Sequence, residues 1–242
     1  MTRLASGLDG VTFRSHGDKL LGTLFRAAGD GPRPTLVLIH GIPGVEKNTD
    51  IAYALRDVGW NVFQFHYRGC WGSAGKYSLT GILDDIAAAT DFIAAHPTVD
   101  PARLALAGNS LGGWAAIAAG ARDSRFRAIV SMCPLVDPRA VSLSRADADE
   151  FASMLNGITA DEIAAQWGTL TPLTDLAPEL AGRPTLLVGA GKDAFFPPDH
   201  LRPLAEAAPE IEWQTIEGAD HSFSAHRRAL VEMIAAWLQK VM

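Results

Sequence analysis

A stretch near the middle of the chain joins a pattern typical of a buried strand to one typical of a helix. Residues 104–108 are apolar or small, a helical pattern of small residues follows from Leu111, and Ser110 lies between them with a glycine two positions to either side. A strand that turns this sharply into a helix holds the residue at its tip at a strained, often positive φ, where bulkier neighbours would clash. The stretch predicts either a nucleophile elbow or an ordinary tight strand-to-helix turn, and the rest of the chain has to separate the two.

The composition is typical of a folded globular protein with an acidic balance of charge. The 242 residues are 48% hydrophobic and 20% charged, enough to build a buried core. The net charge of −6 argues against binding nucleic acid or an anionic membrane through a basic surface. Two cysteines, Cys70 and Cys133, give neither a disulfide framework nor the spacing of a metal site. The N-terminal stretch lacks an apolar signal region, and no apolar run approaches the roughly 18 residues of a membrane helix, so we expect a cytoplasmic protein.

Strand and helix patterns alternate along most of the chain, which predicts a parallel sheet covered on both faces. Two strand patterns around Gly17-Asp18 predict an opening hairpin, and the last predicted helix runs from Phe223 to Lys240. Between Pro134 and Arg183 the alternation stops, and only two short helical patterns and a proline-rich return are found. We expect one domain over residues 1–242. It should have a mostly parallel sheet of about eight strands and a small helical cap, residues 134–183, inserted before the strand that leads to Asp193.

Three polar residues directly follow strand patterns and are candidates for catalysis: Ser110, Asp193 and His221. Because ligands of an open parallel sheet lie at the carboxyl ends of its strands, we expect all three at the same edge of the sheet. A serine hydroxyl is a poor nucleophile until an imidazole takes its proton and a carboxylate orients that imidazole. Asp137 also follows a strand pattern and is the alternative acid, although the Gly191-Lys192 context favours Asp193.

Five loop motifs resemble the signature loops of the α/β-hydrolase superfamily, in the same order. They are His40-Gly41-Ile42-Pro43-Gly44, Tyr67-Arg68-Gly69-Cys70-Trp71-Gly72, Gly108-Asn109-Ser110-Leu111-Gly112, Gly191-Lys192-Asp193 and Asp220-His221-Ser222-Phe223. The resemblance covers nearly the whole chain, and within the superfamily the chain is most similar to compact serine esterases and to the catalytic domains of prolyl-oligopeptidase-type peptidases. It implies the α/β-hydrolase fold and a catalytic triad of Ser110, Asp193 and His221, whose order along the chain is the one that this superfamily uses.

Two backbone N–H groups are candidates for an oxyanion hole, which stabilises the negative charge that develops on a substrate carbonyl oxygen. Leu111 follows the serine at the N-terminus of a predicted helix, where N–H groups have no partner within the helix. The second donor is expected from the loop after the strand pattern at residues 35–39. Pro43 has no N–H, so Ile42 is the expected donor, and His40 is interpreted as bracing this loop rather than carrying a proton.

Four aromatic residues on predicted loops at the active edge are candidates for contact with substrate: Trp71, Phe195, Phe196 and Phe223. Exposed aromatic side chains beside a catalytic site usually line an apolar pocket for an acyl or alcohol group. The alternative is that these side chains pack against the cap, and the sequence leaves that choice open.

Together these residues predict a serine hydrolase that cleaves carboxylic esters of small or medium acyl groups through an acyl-enzyme on Ser110. The expected partner is a small-molecule ester, and the expected chemistry needs no metal or organic cofactor. The same catalytic set cleaves amides, so a serine peptidase of prolyl-oligopeptidase type is the nearest alternative. A lactone hydrolase and a non-catalytic binding protein on the same fold are further alternatives. Neither nucleic acid nor a membrane is an expected partner, and the sequence leaves the oligomeric state and the acyl preference open.

Overall fold

The apolar runs of the sequence pair into a single sheet of eight strands. The computed structural model describes residues 5–242, so residues 1–4 of the predicted domain lie outside the described part. The strands are β1 (Gly7–Ser15), β2 (Asp18–Arg26), β3 (Arg33–Ile39), β4 (Asn61–Phe65), β5 (Val99–Asn109), β6 (Phe126–Met132), β7 (Thr185–Ala190) and β8 (Glu212–Ile216). Their order across the sheet is β1-β2-β4-β3-β5-β6-β7-β8. The pairs β1–β2 and β2–β4 are antiparallel and all later neighbours are parallel, which confirms the mostly parallel sheet.

Helices cover both faces of this sheet. They are α1 (Thr49–Asp57), α2 (Ile82–Ala94), α3 (Leu111–Arg122), α4 (Arg145–Met154), α5 (Ala160–Trp167), α6 (Pro198–Ala207) and α7 (Arg227–Val241). Successive residues of a strand point to opposite faces, so in β3 Val37 and Ile39 pack into one apolar core while Leu36 and Leu38 pack into another. Side chains of α2, α3 and α6 complete the first core, and side chains of α1 and α7 complete the second.

The chain between β6 and β7 forms α4, α5 and a 3₁₀ helix, Leu173–Leu180. A capping box begins α5, because the Thr159 hydroxyl accepts the N–H of Glu162 and the Glu162 carboxylate accepts the N–H of Thr159 at 2.9 Å. Such a cap stabilises a helix by about 1 kcal/mol. Apolar side chains of this segment, among them Ile163 and Leu173, belong to the same core as α2 and α3. The segment therefore shares the core of the sheet instead of building a separate one.

The final helix begins later than its sequence pattern predicts. It starts at Arg227 rather than at Phe223. Phe223 has a φ of 55°, and its N–H donates to the carbonyl of Asp220 at 2.9 Å, so residues 220–223 form a tight turn. An apolar side chain at position 223 fits the helical pattern although the backbone there is not helical.

None of the helices within residues 5–242 has both the length and the apolar character that crossing a membrane requires.

Candidate active site

Ser110 occupies the turn between β5 and α3 in a backbone conformation that favours glycine, with φ 60° and ψ −125°. The two flanking glycines have no room for a side chain. A Cβ on Gly112 would lie 2.6 Å from the carbonyl oxygen of His40, and a Cβ on Gly108 would overlap the carbonyl group of Gly112. Backbone strain of this kind persists only where the surrounding structure enforces it, and it is common at active sites. The turn therefore has the geometry of a nucleophile elbow, with Ser110 at its tip.

The loops after β7 and β8 bring Asp193 and His221 together. Nδ1 of His221 lies 2.7 Å from Oδ2 of Asp193. Because an ionised carboxylate only accepts hydrogen bonds, Nδ1 carries the hydrogen, and Nε2 is the ring atom that remains able to accept a proton. The alternative acid, Asp137, instead accepts hydrogen bonds from the backbone and the guanidinium of Arg139. The structure therefore pairs His221 with Asp193, the acid that the sequence favours.

The carboxylate of Asp193 is buried and hydrogen-bonded through both oxygens. Oδ1 accepts the backbone N–H groups of Phe195 at 2.8 Å and of Phe196 at 2.9 Å. Burial on its own would raise the pKa of Asp193, but the hydrogen bond and charge of His221, together with the two N–H donors, hold the pKa below its ordinary value. Asp193 therefore stays ionised and can stabilise a protonated imidazole. Sequence reasoning missed these two donors, although an aspartate at the start of a turn is a recognisable Asx signal.

Ser110 and His221 line the same two cavities at the carboxyl edge of the sheet. The hydrogen bonds of residues 5–242 do not include one between the Ser110 hydroxyl and the His221 ring. Catalytic hydrogen bonds of this kind often form or tighten only in the complex with substrate. The structure therefore brings the serine and the acid–base pair to one site, and the proton transfer between them belongs to the proposed mechanism.

The loop between β3 and α1 packs directly against the elbow. A Cβ on Gly41 would lie 2.9 Å from the carbonyl oxygen of Asn109 and 3.1 Å from Cβ of Ser110, so only glycine allows this approach. Ile42 lines both cavities beside Ser110, and Leu111 is the first residue of α3. Neither the Ile42 nor the Leu111 N–H donates to a backbone carbonyl within residues 5–242. Both groups therefore remain candidates for the oxyanion hole.

Two side chains, those of His40 and Trp71, hold this loop in place. His40 is buried, and its Nδ1 donates to the carbonyl of Gly41 at 2.8 Å, which agrees with the interpretation that it braces the loop. Nε1 of Trp71 donates to the carbonyl of Pro43 at 2.9 Å, and the ring lies under the ammonium group of Lys47 at 4.7 Å. Trp71 lines a different, shallow pocket. Trp71 therefore supports the loop, and the structure does not bring its side chain to either cavity at Ser110.

The other three candidate aromatic residues have different positions. Phe195 is 62% exposed and Phe196 is buried, and their rings flank the His221 ring with centroids at 5.1 and 5.4 Å. Both line the same cavity as Ser110. Phe223 is fully buried in the core that α7 covers and lines neither cavity. The expectation that Phe223 contacts substrate is corrected here, because the tight turn at residues 220–223 points its ring into the protein.

The two cavities differ in chemical character. One, of about 370 Å³ and the more polar of the two, is lined by both polar and apolar groups, most of them from the 41–46 and 221–224 loops. The other, of about 170 Å³, lies beneath the segment between β6 and β7, and its walls are mostly apolar. The side chains that this segment contributes to the apolar cavity include Val141, Leu143, Phe151 and Trp167. Ser110 thus lies at the junction of a polar cleft and an apolar pocket.

Cys133 lies beside the acid–base pair. Its sulfur, a carboxylate oxygen of Asp193 and a ring nitrogen of His221 lie within 4.8 Å of one another, the one such group of potential metal ligands found among residues 5–242. Burial raises the pKa of the Cys133 thiol, and the charge of Asp193 raises it further, so the sulfur stays protonated and is a poor metal ligand. In addition, Asp193 and His221 already use these atoms for each other. The cluster is better suited to proton transfer than to holding a metal ion.

Comparison with known proteins extends this description. The sequence model of the prolyl oligopeptidase family matches residues 48–242, most of the chain. The quorum-quenching protein AidA of Acinetobacter baumannii is 31% identical over 133 residues, which cover 52% of this chain and 44% of AidA. The chain spans less than half the length of the curated relatives that it matches first.

Two solved structures show the same fold over their whole length. The α/β hydrolase GrgF from Penicillium sp. sh18 has a TM-score of 0.79 at 20% identity, covering 100% of this chain and 99% of that chain. Est1E from Butyrivibrio proteoclasticus, determined with ferulic acid bound, has a TM-score of 0.82 at 18% identity, covering 96% of this chain and 98% of that chain. These likenesses confirm the predicted α/β-hydrolase fold.

Proposed function

This chain belongs to the prolyl oligopeptidase family, and on that premise we propose that it is a serine hydrolase that cleaves carboxylic esters of small or medium acyl groups. The observation that carries the proposal is the 2.7 Å hydrogen bond between His221 and Asp193 at a cavity that Ser110 also lines. A strained serine, a base and a buried, ionised acid at one edge of a parallel sheet are the three parts that acyl transfer to water requires.

In the proposed mechanism, Nε2 of His221 takes the proton of Ser110 while Oγ attacks the ester carbonyl carbon. The N–H groups of Ile42 and Leu111 stabilise the oxyanion, and Asp193 stabilises the imidazolium. When the tetrahedral intermediate collapses, His221 gives its proton to the leaving alcohol and the acyl group remains on Ser110. Water, deprotonated by His221, then attacks the acyl-enzyme; as the carboxylic acid leaves, His221 returns the proton to Oγ of Ser110.

The substrate-binding groups follow from the two cavities. We assign the apolar cavity, with Phe195 and Phe196 on its wall, to the larger apolar part of the ester, because its volume of about 170 Å³ suits a short chain or one ring. The polar cleft then takes the smaller or more polar part. We also assign residues 134–183 the role of a helical cap, since their side chains form one wall of the apolar cavity.

A serine peptidase is the second candidate, supported by the family to which the chain belongs. The small volume of the apolar cavity favours an ester of modest size over a peptide. Hydrolysis of p-nitrophenyl acetate and butyrate, beside benzyloxycarbonyl-glycyl-prolyl-p-nitroanilide, separates the two candidates. We expect turnover of both esters and little or none of the anilide.

The matched variants for this test are Ser110→Ala and Ser153→Ala. Ser153 lies on α4, outside both cavities, with its hydroxyl donating to the carbonyl of Glu150. We expect Ser110→Ala to lower kcat for the esters more than about a thousandfold and Ser153→Ala to leave it unchanged. Higher kcat/KM for the anilide would identify a peptidase. Ester turnover that persists in Ser110→Ala, or no turnover of any substrate by the wild-type protein, would refute the proposed function.

A further inference from the structure

One charged side chain interrupts the apolar cavity beside Ser110. Asp147, in the first turn of α4, lines this cavity together with Phe151, Trp167 and Phe195. No lysine or arginine lines either cavity at Ser110. A carboxylate on a mostly apolar wall is unfavourable unless something compensates its charge, because apolar surroundings solvate ions poorly.

The protein compensates that charge only in part. Oδ2 of Asp147 accepts a hydrogen bond from the Ser144 hydroxyl at 2.6 Å, and the Asp147 N–H donates to the same hydroxyl at 3.1 Å. This contact caps α4, and a helix N-terminus carries about half a positive charge, which also favours a carboxylate. However, Asp147 has no ion pair within residues 5–242, and Oδ1 has no hydrogen-bond partner there. The nearest basic residue in sequence, Arg145, pairs with Asp149 and Asp161 instead.

Helix capping therefore explains one oxygen of Asp147, and the other oxygen of this cavity-lining carboxylate is left without a hydrogen-bond partner among residues 5–242. A cavity of about 150 Å³ is enough to hold a benzene ring, so the 170 Å³ pocket accommodates one ring or a short chain that leads from Ser110 toward the carboxylate. We propose that the apolar cavity selects esters whose apolar group ends in a cation, and that Asp147 is the residue that binds this cation. The inference rests on the proposed function, because it names the substrate class of the same site.

A matched pair of substrates tests this assignment: methyl 4-(aminomethyl)cinnamate and methyl 4-ethylcinnamate. They have nearly the same shape and differ in the charge at the far end of the ring. The ring is the one large apolar part of either ester. We therefore expect it in the apolar cavity, whether that cavity binds the acyl part or the alcohol part of other substrates. A charge-assisted hydrogen bond to Asp147 is expected to raise kcat/KM for the cationic ester about tenfold over the neutral one.

The matched variants are Asp147→Asn and Glu150→Gln, which each remove one negative charge from α4. Glu150 is exposed and lines neither cavity, so its substitution controls for the net charge of the helix. We expect the cation preference, measured as the ratio of the two kcat/KM values, to disappear in Asp147→Asn and to persist in Glu150→Gln, with kcat/KM for the neutral ester unchanged in Glu150→Gln. Raising the salt concentration from 0.02 to 0.5 M is expected to weaken the preference of the wild-type protein, because Asp147 is only half-buried.

Failure of this inference and failure of the proposed function give different results. Equal kcat/KM values for the two esters, or a preference that survives in Asp147→Asn, would overturn the role of Asp147 while ester hydrolysis through Ser110 stands. If neither ester is hydrolysed, calorimetric titration of the same esters into the wild-type protein and Asp147→Asn decides the point. Tighter binding of the cationic ester by about tenfold, lost in Asp147→Asn, would support the inference without catalysis, and equal binding would overturn it.

Discussion

Acidification from pH 8 to pH 5 is expected to remove about 2 kcal/mol of stability through a single buried histidine. His40 is 3% exposed, and its Nδ1 donates to the carbonyl of Gly41 at 2.8 Å, so Nε2 has no hydrogen. Nε2 is also buried without a hydrogen-bond partner in the described part of the chain, so a proton added there would have no acceptor. The pKa of His40 is lowered from 6.5 to about 3, chiefly by burial. The charges of His66 and Lys47 lower this pKa as well, and the hydrogen bond to Gly41 raises it.

The sign and size of the effect follow from these two pKa values. The unfolded chain binds a proton at this position below pH 6.5, whereas the folded chain does not until about pH 3. The free energy of unfolding therefore falls as the pH falls between these values, by about 1.4 kcal/mol for each pH unit. From pH 6.5 to pH 5 the loss is about 2 kcal/mol, and above pH 6.5 this histidine adds no slope.

Urea denaturation at pH 8 and pH 5 measures this effect in the wild-type protein and in His40→Asn. The asparagine keeps an N–H donor for Gly41 but cannot take up a proton. The substitution leaves a small cavity and is expected to destabilise the protein at both pH values. The stability that is lost from pH 8 to pH 5 is expected to be about 2 kcal/mol smaller in His40→Asn than in the wild-type protein. His16→Asn is the control, because the His16 side chain is 60% exposed. An equal loss of stability between the two pH values in the wild-type protein and His40→Asn would refute the reasoning.

Three further substitutions test the packing around the site by urea denaturation. Ser110→Gly is expected to be about 1 kcal/mol more stable than Ser110→Ala, because glycine adopts φ 60° and ψ −125° with less strain; equal stabilities would show that the turn is unstrained. Gly112→Ala is expected to lose about 3 kcal/mol, because its Cβ would lie 2.6 Å from the carbonyl oxygen of His40; a wild-type midpoint would contradict that packing. Arg68→Leu is expected to lower the free energy of unfolding by about 3 kcal/mol, because it removes the guanidinium that lies 2.7 Å from the buried carboxylate of Asp85. A loss below about 1 kcal/mol would mean that other groups solvate that carboxylate.

Local sequence patterns predict the parts of the site that depend on backbone geometry. The elbow at Ser110 could be predicted because the steric need for glycine at positions 108 and 112 is a property of the turn itself. The meeting of Asp193 and His221 could be predicted because both follow strands of one parallel sheet, and such strands end at the same edge. In each case the signal is local: it is the turn that carries the side chain, or the end of the strand that precedes it.

Side chains whose surroundings come from distant segments were harder to predict. Trp71 and Phe223 lie in loops with the right motifs, but their orientation depends on the backbone conformation of each loop, which is left-handed at both positions, with φ 46° and 55°. His200, in the first turn of α6, stacks on Phe196 and accepts the N–H of Val136 at 2.8 Å. That contact joins a residue after β6 to a side chain of α6, 64 residues away along the chain. Pattern alone does not give such packing between segments.

The proposed function requires that His221, held by Asp193, makes Ser110 a nucleophile. Reaction with a fluorophosphonate, followed by mass spectrometry of the digested protein, tests it most directly, because the reagent needs an activated serine but no particular ester substrate. We expect modification of Ser110 alone in the wild-type protein, none in Ser110→Ala, and a rate at least about a hundredfold lower in His221→Ala. A wild-type protein that is not modified, or is modified at another residue, or reacts equally fast without His221, would contradict it.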